Sequence, residues 1–174
     1  MSDSGRHARP PTRVLLARYQ DIAVVRFEGP GNMQVAPALQ ALLEDVRAAG
    51  TQAVYVDLAR CTGMDSTFMG LLVGQAQAFA GIGGRLAVVS PSELCVRLLR
   101  QLGVDQVVAV IAEATTPEVA FVEVPARIAV PAERRAALIR QAHQALIALS
   151  EENRARFSAF LEALDADLRR RGER

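Results

Sequence analysis

Two adjacent hydroxyl side chains follow a carboxylate in the segment Gly63-Met64-Asp65-Ser66-Thr67-Phe68. A hydroxyl at the start of a helix lies near free backbone N–H groups, which would stabilise a phosphate through hydrogen bonds and the helix dipole. The same residue types also cap helices with no further function, because their oxygens accept hydrogen bonds from first-turn N–H groups. On spacing alone, capping by Asp65 or Ser66 is the simpler interpretation, and phosphate chemistry at Ser66 is the alternative.

Cysteine chemistry has less support from the sequence. The chain has two cysteines, Cys61 and Cys95, and a nucleophilic thiol needs a nearby base to activate it. The histidines are His7, near the N-terminus, and His143, far along the chain. We therefore expect reduced thiols, with Cys95 in the core and Cys61 partly exposed before a loop. The sequence predicts no metal site, no cofactor and no enzymatic activity.

The glycine spacing does not indicate a nucleotide-binding site. The segment Gly81-Ile82-Gly83-Gly84 follows a predicted helix and precedes a predicted strand, the reverse of the order in a dinucleotide-binding motif. Gly70 and Gly74 lie one turn apart in the helix before it. We expect these two glycines to allow close packing of that helix on the sheet.

Alternating strands and helices must position these residues. The pattern over residues 13–111 is β-β-α-β-α-β-α-β, with predicted strands at 14–17, 22–27, 53–58, 86–89 and 107–111. Helices are predicted from Pro37, from Ser66 to Ala80, and from Ser90, which would be the N-cap of the third helix. This order predicts an α/β fold with a mixed, mostly parallel sheet, in which the opening hairpin forms an antiparallel edge.

The chain after residue 111 has a different pattern. Residues 112–130 are predicted to be a linker, although 119–124 has in part the two-residue period of a strand. Residues 131–174 are predicted to be a two-helix extension with Ser150 capping the second helix. Each helix carries one apolar stripe that must be buried. The stripes would pack back on the same chain or, alternatively, form a homodimer or partner surface. On the second helix, Glu152–Arg156 and Asp165–Arg169 have the spacing of ion pairs.

Composition excludes several classes of function. A net charge of +1 over 174 residues argues against a nucleic-acid partner. The apolar runs are too short to cross a bilayer, so no direct membrane insertion is predicted. Residues 1–12 lack the apolar region of a secretion signal and are predicted to be a disordered tail. A cytoplasmic location is therefore expected.

Residues 54–103 resemble the STAS domain, in particular the anti-sigma factor antagonists of bacteria. The resemblance lies in the strand at 54–58, in Met64-Asp65-Ser66-Thr67, and in Gly70-Leu71-Leu72 of the following helix. It continues through 83–91 and 98–104, and weaker agreement extends over 13–111. It implies a STAS-like domain at 13–111, with packed helices beside the sheet and the helical extension appended.

The resemblance also implies a phosphorylation switch. In that family a partner serine kinase, which is also the anti-sigma factor, phosphorylates the serine after the aspartate, and a serine phosphatase restores it. Carried onto this chain, Ser66 is the acceptor, with Thr67 as the alternative. Met64, Asp65, Thr67 and Phe68 would then contact the partner. The family more often has Gly at the position of Phe68, and this bulky residue is expected to add an apolar contact at the docking face.

A second function remains open from the sequence. The chain could be an unphosphorylated STAS subunit of a larger assembly, such as a stress-sensing complex or a lipid transporter accessory. This alternative predicts a stable association that does not depend on Ser66.

Overall fold

A six-stranded mixed sheet forms the centre of the protein. The computed structural model of the protein describes residues 10–115 and 118–172. Strands β2 to β5 are parallel, β1 is antiparallel to β2, and β6 is antiparallel to β1. The spatial order is β5-β4-β3-β2-β1-β6. This arrangement confirms the predicted fold class. The strands are β1 (Arg13–Tyr19), β2 (Ile22–Gly31), β3 (Ala53–Met64), β4 (Arg85–Val89), β5 (Ala109–Ile111) and β6 (Val122–Val124).

Helices cover one face of this sheet. Alternate strand residues such as Val25, Val56 and Val88 point into a single apolar core that also contains helix residues such as Leu39 and Leu72. The pattern follows from the two-residue period of a strand, which sends every second side chain to the same face. The helices are α1 (Ala36–Ala48), α2 (Ser66–Ala80), α3 (Glu93–Gln101), α4 (Ala132–Ile147) and α5 (Glu151–Gly172), with a short 3-10 turn at Val104–Gln106.

The predicted linker contains a strand. Residues 122–124 pair with β1, so that Val14 lies opposite Val124. The opening hairpin is consequently not the edge of the sheet, which corrects that expectation. Of the two interpretations left open for residues 119–124, the strand is the one observed at 122–124, where it provides partners for backbone groups of β1. Just before β6, the ring of Phe121 lies 4.1 Å from the guanidinium of Arg26 on the second face of the sheet.

Helix α3 begins two residues later than the sequence predicted. Ser92, not Ser90, is its N-cap, and the Ser92 side chain accepts a hydrogen bond from the backbone N–H of Cys95. Ser90 instead has a positive φ of 50° and accepts a hydrogen bond from the N–H of Ala114. The predicted strand at 107–111 is shortened to β5, since a 3-10 turn precedes it.

The last residue of the predicted tail, Thr12, contacts the domain. Residues 1–9 of that tail lie outside the described part of the chain. Thr12 is buried, and its hydroxyl donates a hydrogen bond of 2.7 Å to the carbonyl of Pro30. The ordered chain therefore begins before residue 13.

Helices α4 and α5 form an antiparallel pair that packs back on the same chain. The stripe of α4 is buried, including Leu138, Ala142 and Leu146, whereas α5 remains half exposed. Ser150 caps α5 as predicted, accepting from the N–H of Asn153. Glu152 and Arg156 pair as predicted; Asp165, however, pairs with Arg140 of α4 rather than with Arg169. Within the described residues, none of the helices has the length and apolarity needed to cross a membrane.

Candidate functional site

Asp65 caps helix α2 and fastens a neighbouring loop to it. Its Oδ1 accepts a hydrogen bond of 2.8 Å from the backbone N–H of Phe68. Its Oδ2 accepts one of the same length from the N–H of Met33, and its own N–H donates to the carbonyl of Gly31. The capping interpretation of this segment therefore holds for Asp65. Because Asp65 satisfies the cap, the hydroxyl of Ser66 is free to take another partner.

That partner is His143 on helix α4. The Oγ of Ser66, the first residue of α2, lies 3.0 Å from Nε2 of His143. The other ring nitrogen, Nδ1, lies 2.8 Å from the carbonyl oxygen of Ile139. A carbonyl oxygen can only accept, so Nδ1 donates to Ile139, and Nε2 is the ring nitrogen that shares a hydrogen bond with the Ser66 hydroxyl. The predicted phosphate acceptor is thus engaged by the C-terminal helices.

The surroundings of this bond are largely apolar. His143 is 4% exposed, and its ring centre lies 5.1 Å from that of Phe157 and 4.7 Å from that of Phe160, both on α5. Ser66 itself is half-buried. His143 is 77 positions from Ser66 in the chain, so sequence spacing does not connect the two residues. A histidine between Ile139 and Leu146 on a buried stripe needs a polar partner, and this signal could have drawn attention to it.

Two of the residues predicted to contact a partner are buried. Thr67 is 4% exposed and Phe68 is inaccessible. The Phe68 ring meets the ring of Phe27 edge-on at 5.1 Å. The expectation that Phe68 adds an apolar contact at a docking face was therefore wrong, because the second and third residues of α2 point into the core.

Apolar surface near Ser66 comes from a different residue. Met33, whose N–H is bound by Asp65, is 43% exposed, and Met64 is half-buried against the core. Met33 could not be predicted from the sequence, since helix α1 and strand β3 separate it from Ser66 in the chain. Asp65 connects the two segments and places Met33 at the same end of the sheet.

Helix α4 crosses α2 at Gly70. A Cβ atom placed on Gly70 would overlap the backbone carbonyl of Ala142 and lie 2.9 Å from its Cα. A Cβ on Gly74 would have none of the described atoms within 4 Å. The expectation that both glycines pack against the sheet was wrong. Gly70 instead allows two helices to approach closely, which also explains why α2 is apolar on more than one side.

Asn153 anchors the turn between α4 and α5. It is 1% exposed, and its amide nitrogen donates to the carbonyls of Leu102 and Leu146, each at 2.9 Å. Leu102 follows helix α3, so this side chain ties the C-terminal helices to the domain at a second place. The Leu146 carbonyl also accepts from the backbone N–H of Leu149, so the Leu102 carbonyl is the one that depends on Asn153.

The cysteines lie together in the core. Cys61 is buried, which corrects the expectation of partial exposure, and its thiol contacts the carbonyl of Gly63. The thiol of Cys95 lies 3.7 Å from the carbonyl of Cys61. A hydrogen bond with Cys95 and burial raise the pKa of the Cys61 thiol. A protonated, buried thiol is a poor nucleophile. In the described chain, no group of three or more His, Cys, Asp or Glu residues could hold a metal ion.

Comparison with known proteins places this fold in a family. Residues 13–120, more than half of the chain, match the family model of the STAS domain. The chain belongs to the STAS domain family. This STAS protein is 34% identical over 80 residues to the anti-sigma-B factor antagonist of Staphylococcus epidermidis, covering 46% of this chain and 74% of the relative. Its family and this relative show that the STAS protein is a regulatory binding protein rather than an enzyme.

Solved structures show the same fold for the STAS part. The anti-sigma factor antagonist SpoIIAA in its unphosphorylated form is 19% identical, with a TM-score of 0.52 over 60% of this chain and 90% of that one. An anti-sigma factor antagonist from Mycobacterium paratuberculosis is 22% identical, with a TM-score of 0.53 over 58% of this chain and 86% of that one. Helices α4 and α5 lie beyond the residues that the family model matches.

Proposed function

We propose that this STAS protein is a cytoplasmic anti-sigma factor antagonist switched by phosphorylation of Ser66. A serine kinase that also acts as the anti-sigma factor is the partner, and a serine phosphatase resets the switch. The observation that carries the proposal is the position of the Ser66 hydroxyl, at the first residue of α2 and not used for capping. The similarity to an anti-sigma-B factor antagonist supports the choice of partner.

The phosphoryl transfer at Ser66 is a simple displacement. The Ser66 oxygen forms a bond to the γ-phosphorus of ATP, and the bond from that phosphorus to the β–γ bridging oxygen breaks. ADP leaves with the electron pair, and the hydroxyl proton passes to a base of the kinase. The phosphatase reverses the modification by hydrolysis. Ser66 therefore needs no catalytic group of this chain.

A phosphate at Ser66 would weaken docking without unfolding the protein. It adds about −1.5 to −2 charges beside the carboxylate of Asp65, and burying that charge against a partner is costly. The N-terminus of α2 would meanwhile stabilise the phosphate. Met33, Met64 and Asp65 would form the surface that the unmodified protein offers to its partner. A tenfold weaker complex requires only about 1.4 kcal/mol.

The test begins with phosphopeptide mass spectrometry of the full chain isolated from its host. Ser66→Ala and Ser66→Glu are then compared for binding to each purified anti-sigma serine kinase of that host, with ATP and without it. We expect phosphate on Ser66, retained binding for Ser66→Ala and at least tenfold weaker binding for Ser66→Glu. Ser158→Ala and Ser158→Glu serve as controls, since Ser158 lies on α5 and hydrogen-bonds only to Arg154 within its own helix.

A second candidate function is favoured by the bond between Ser66 and His143. A hydroxyl already held in the structure suits an unphosphorylated STAS subunit of a larger assembly. Unmodified Ser66 under all growth conditions, together with equal kinase binding by Ser66→Ala and Ser66→Glu, would reject the switch and favour this candidate. A homodimer through the exposed side of α5 is a further prediction, checked by light scattering of the full chain.

A further inference from the structure

The C-terminal helix pair, α4 and α5, is attached to the STAS domain at three separate places. His143 binds the Ser66 hydroxyl, Ala142 crosses Gly70, and Asn153 binds the carbonyl of Leu102. Two of these contacts lie on helix α2, and one of them involves the proposed phosphate acceptor itself.

A kinase cannot use Ser66 in this arrangement. The attacking oxygen must approach the γ-phosphorus in line with the leaving oxygen. In the structure, the Ser66 hydroxyl instead points at Nε2 of His143, and α4 occupies the space beyond it. Phe157 and Phe160 enclose the histidine from the other side. The helix pair must therefore move before phosphoryl transfer can occur.

We propose that the helix pair is an intrachain cap that closes over Ser66 and must open before the kinase can bind and phosphorylate it. This inference rests on the proposed function and names the regulation of the same site. Phosphorylation replaces the Ser66 hydroxyl, which bonds to His143 in the closed state, with a phosphate ester that needs more room than the 3.0 Å between Oγ and Nε2. It would also bury a doubly charged group beside an apolar cluster. The phosphorylated protein therefore keeps the cap open until the phosphatase acts.

Gly70 and Gly74 provide a matched pair of variants. Gly70→Ala forces α4 away, because the new methyl group overlaps the Ala142 backbone. Alanine is the best helix former, so α2 itself is not weakened. Gly74→Ala makes the same chemical change one turn later, where the described chain leaves room for it. Asn153→Ala opens the cap from its other attachment and does not touch α2. Circular dichroism of each full-length variant is the control for folding.

The first measurement does not need a kinase. The thiol introduced by Ser66→Cys is alkylated with iodoacetamide in full-length chains that are otherwise wild type or carry Gly70→Ala, Gly74→Ala or Asn153→Ala. Alkylation rates are compared at high pH, where the rate no longer rises because the thiol is fully deprotonated. Differences between the chains then report access to the thiol and not its pKa. We expect alkylation at least about tenfold faster with Gly70→Ala and with Asn153→Ala, the ratio set by the open fraction of the capped chain. Gly74→Ala should match the otherwise wild-type chain.

The second measurement is phosphorylation of the serine-containing chains by the host's anti-sigma kinase with ATP. Faster phosphorylation of the Gly70→Ala and Asn153→Ala chains, in the same order as their alkylation, supports the cap. Equal alkylation rates in all four chains would overturn it, whatever the kinase does. If the Gly70→Ala and Asn153→Ala chains are alkylated faster but no chain is phosphorylated, the cap proposal is supported and the Ser66 switch is rejected. The two proposals therefore fail in different ways.

Discussion

The Oγ of Ser66 and Nε2 of His143 lie 3.0 Å apart, although 77 positions separate the two residues in the chain. The bond joins the start of α2 in the STAS domain to helix α4 in the extension. Both partners are wholly or partly removed from water, so the loss of either leaves the other without its hydrogen-bond partner.

Ser66→Ala is expected to destabilise the full chain by about 1–2 kcal/mol, because it leaves Nε2 of His143 buried and unpaired. His143→Ala should cost more, since it also removes ring packing against Phe157 and Phe160. In a double-mutant cycle, the two changes should be coupled by roughly 0.5–2 kcal/mol. Urea unfolding followed by circular dichroism measures these values. Additive effects would show that the bond contributes nothing.

The cap of α2 depends on both carboxylate oxygens of Asp65. We expect Asp65→Ala to lower the free energy of unfolding by about 1–3 kcal/mol, since the N–H groups of Phe68 and Met33 lose their acceptor. Asp65→Asn keeps one acceptor oxygen and should lie between the wild type and Asp65→Ala. The order of unfolding midpoints in urea tests this ranking, and an Asn variant no better than Ala would contradict it.

Gly31 permits the Phe68 ring to lie against strand β2. A Cβ at Gly31 would be 2.9 Å from the ring, so Gly31→Ala should destabilise the protein by about 1–3 kcal/mol through overpacking. Gly63→Ala is the control, because a Cβ there would meet none of the described atoms within 4 Å. Adding Phe68→Leu should recover part of the loss. Thermal unfolding of the four chains provides the comparison.

Neither native cysteine should react while the protein is folded. Cys61 and Cys95 are both buried, so a reagent cannot reach either thiol. The hydrogen bond between them raises the pKa of Cys61 and lowers that of Cys95 to about 6, so burial is what protects Cys95. We expect an aromatic disulfide reagent to react rapidly with neither thiol of the folded protein in buffer, and with both thiols of the unfolded protein in denaturant. Rapid reaction of one thiol in the native chain would contradict the burial, and this result also sets the background for labelling at position 66.

Sequence patterns predicted the STAS part well where one local signal dominates. Helix α2 begins and ends at the predicted residues, because an Asp cap, an apolar run and glycines agree. The start of α3 was misplaced because Ser90 and Ser92 are both competent caps, and only the backbone conformation of Ser90 distinguishes them. Strand β6 could not be separated from a linker, because three residues give too weak a two-residue period to decide without the partner strand β1.

The candidate site could be predicted only in part. Asp65 and Ser66 are contiguous, so their chemistry was visible in the sequence. Their contacts with Met33 and His143 depend on where β2 and α4 lie in three dimensions. The misassigned Gly70 shows the same limit, since a glycine in a helix signals a close approach without naming the element that approaches.

The order of the chain has a consequence during synthesis. The last strand of the sheet ends at Val124, and at about 5–20 residues per second the 19 positions from there to His143 take roughly 1–4 seconds to synthesise. A nascent STAS domain therefore exists for some seconds before the helices that cover its serine have been made. A kinase already present in the cell would meet this uncovered domain on every translating ribosome, before the finished protein has had any need to open.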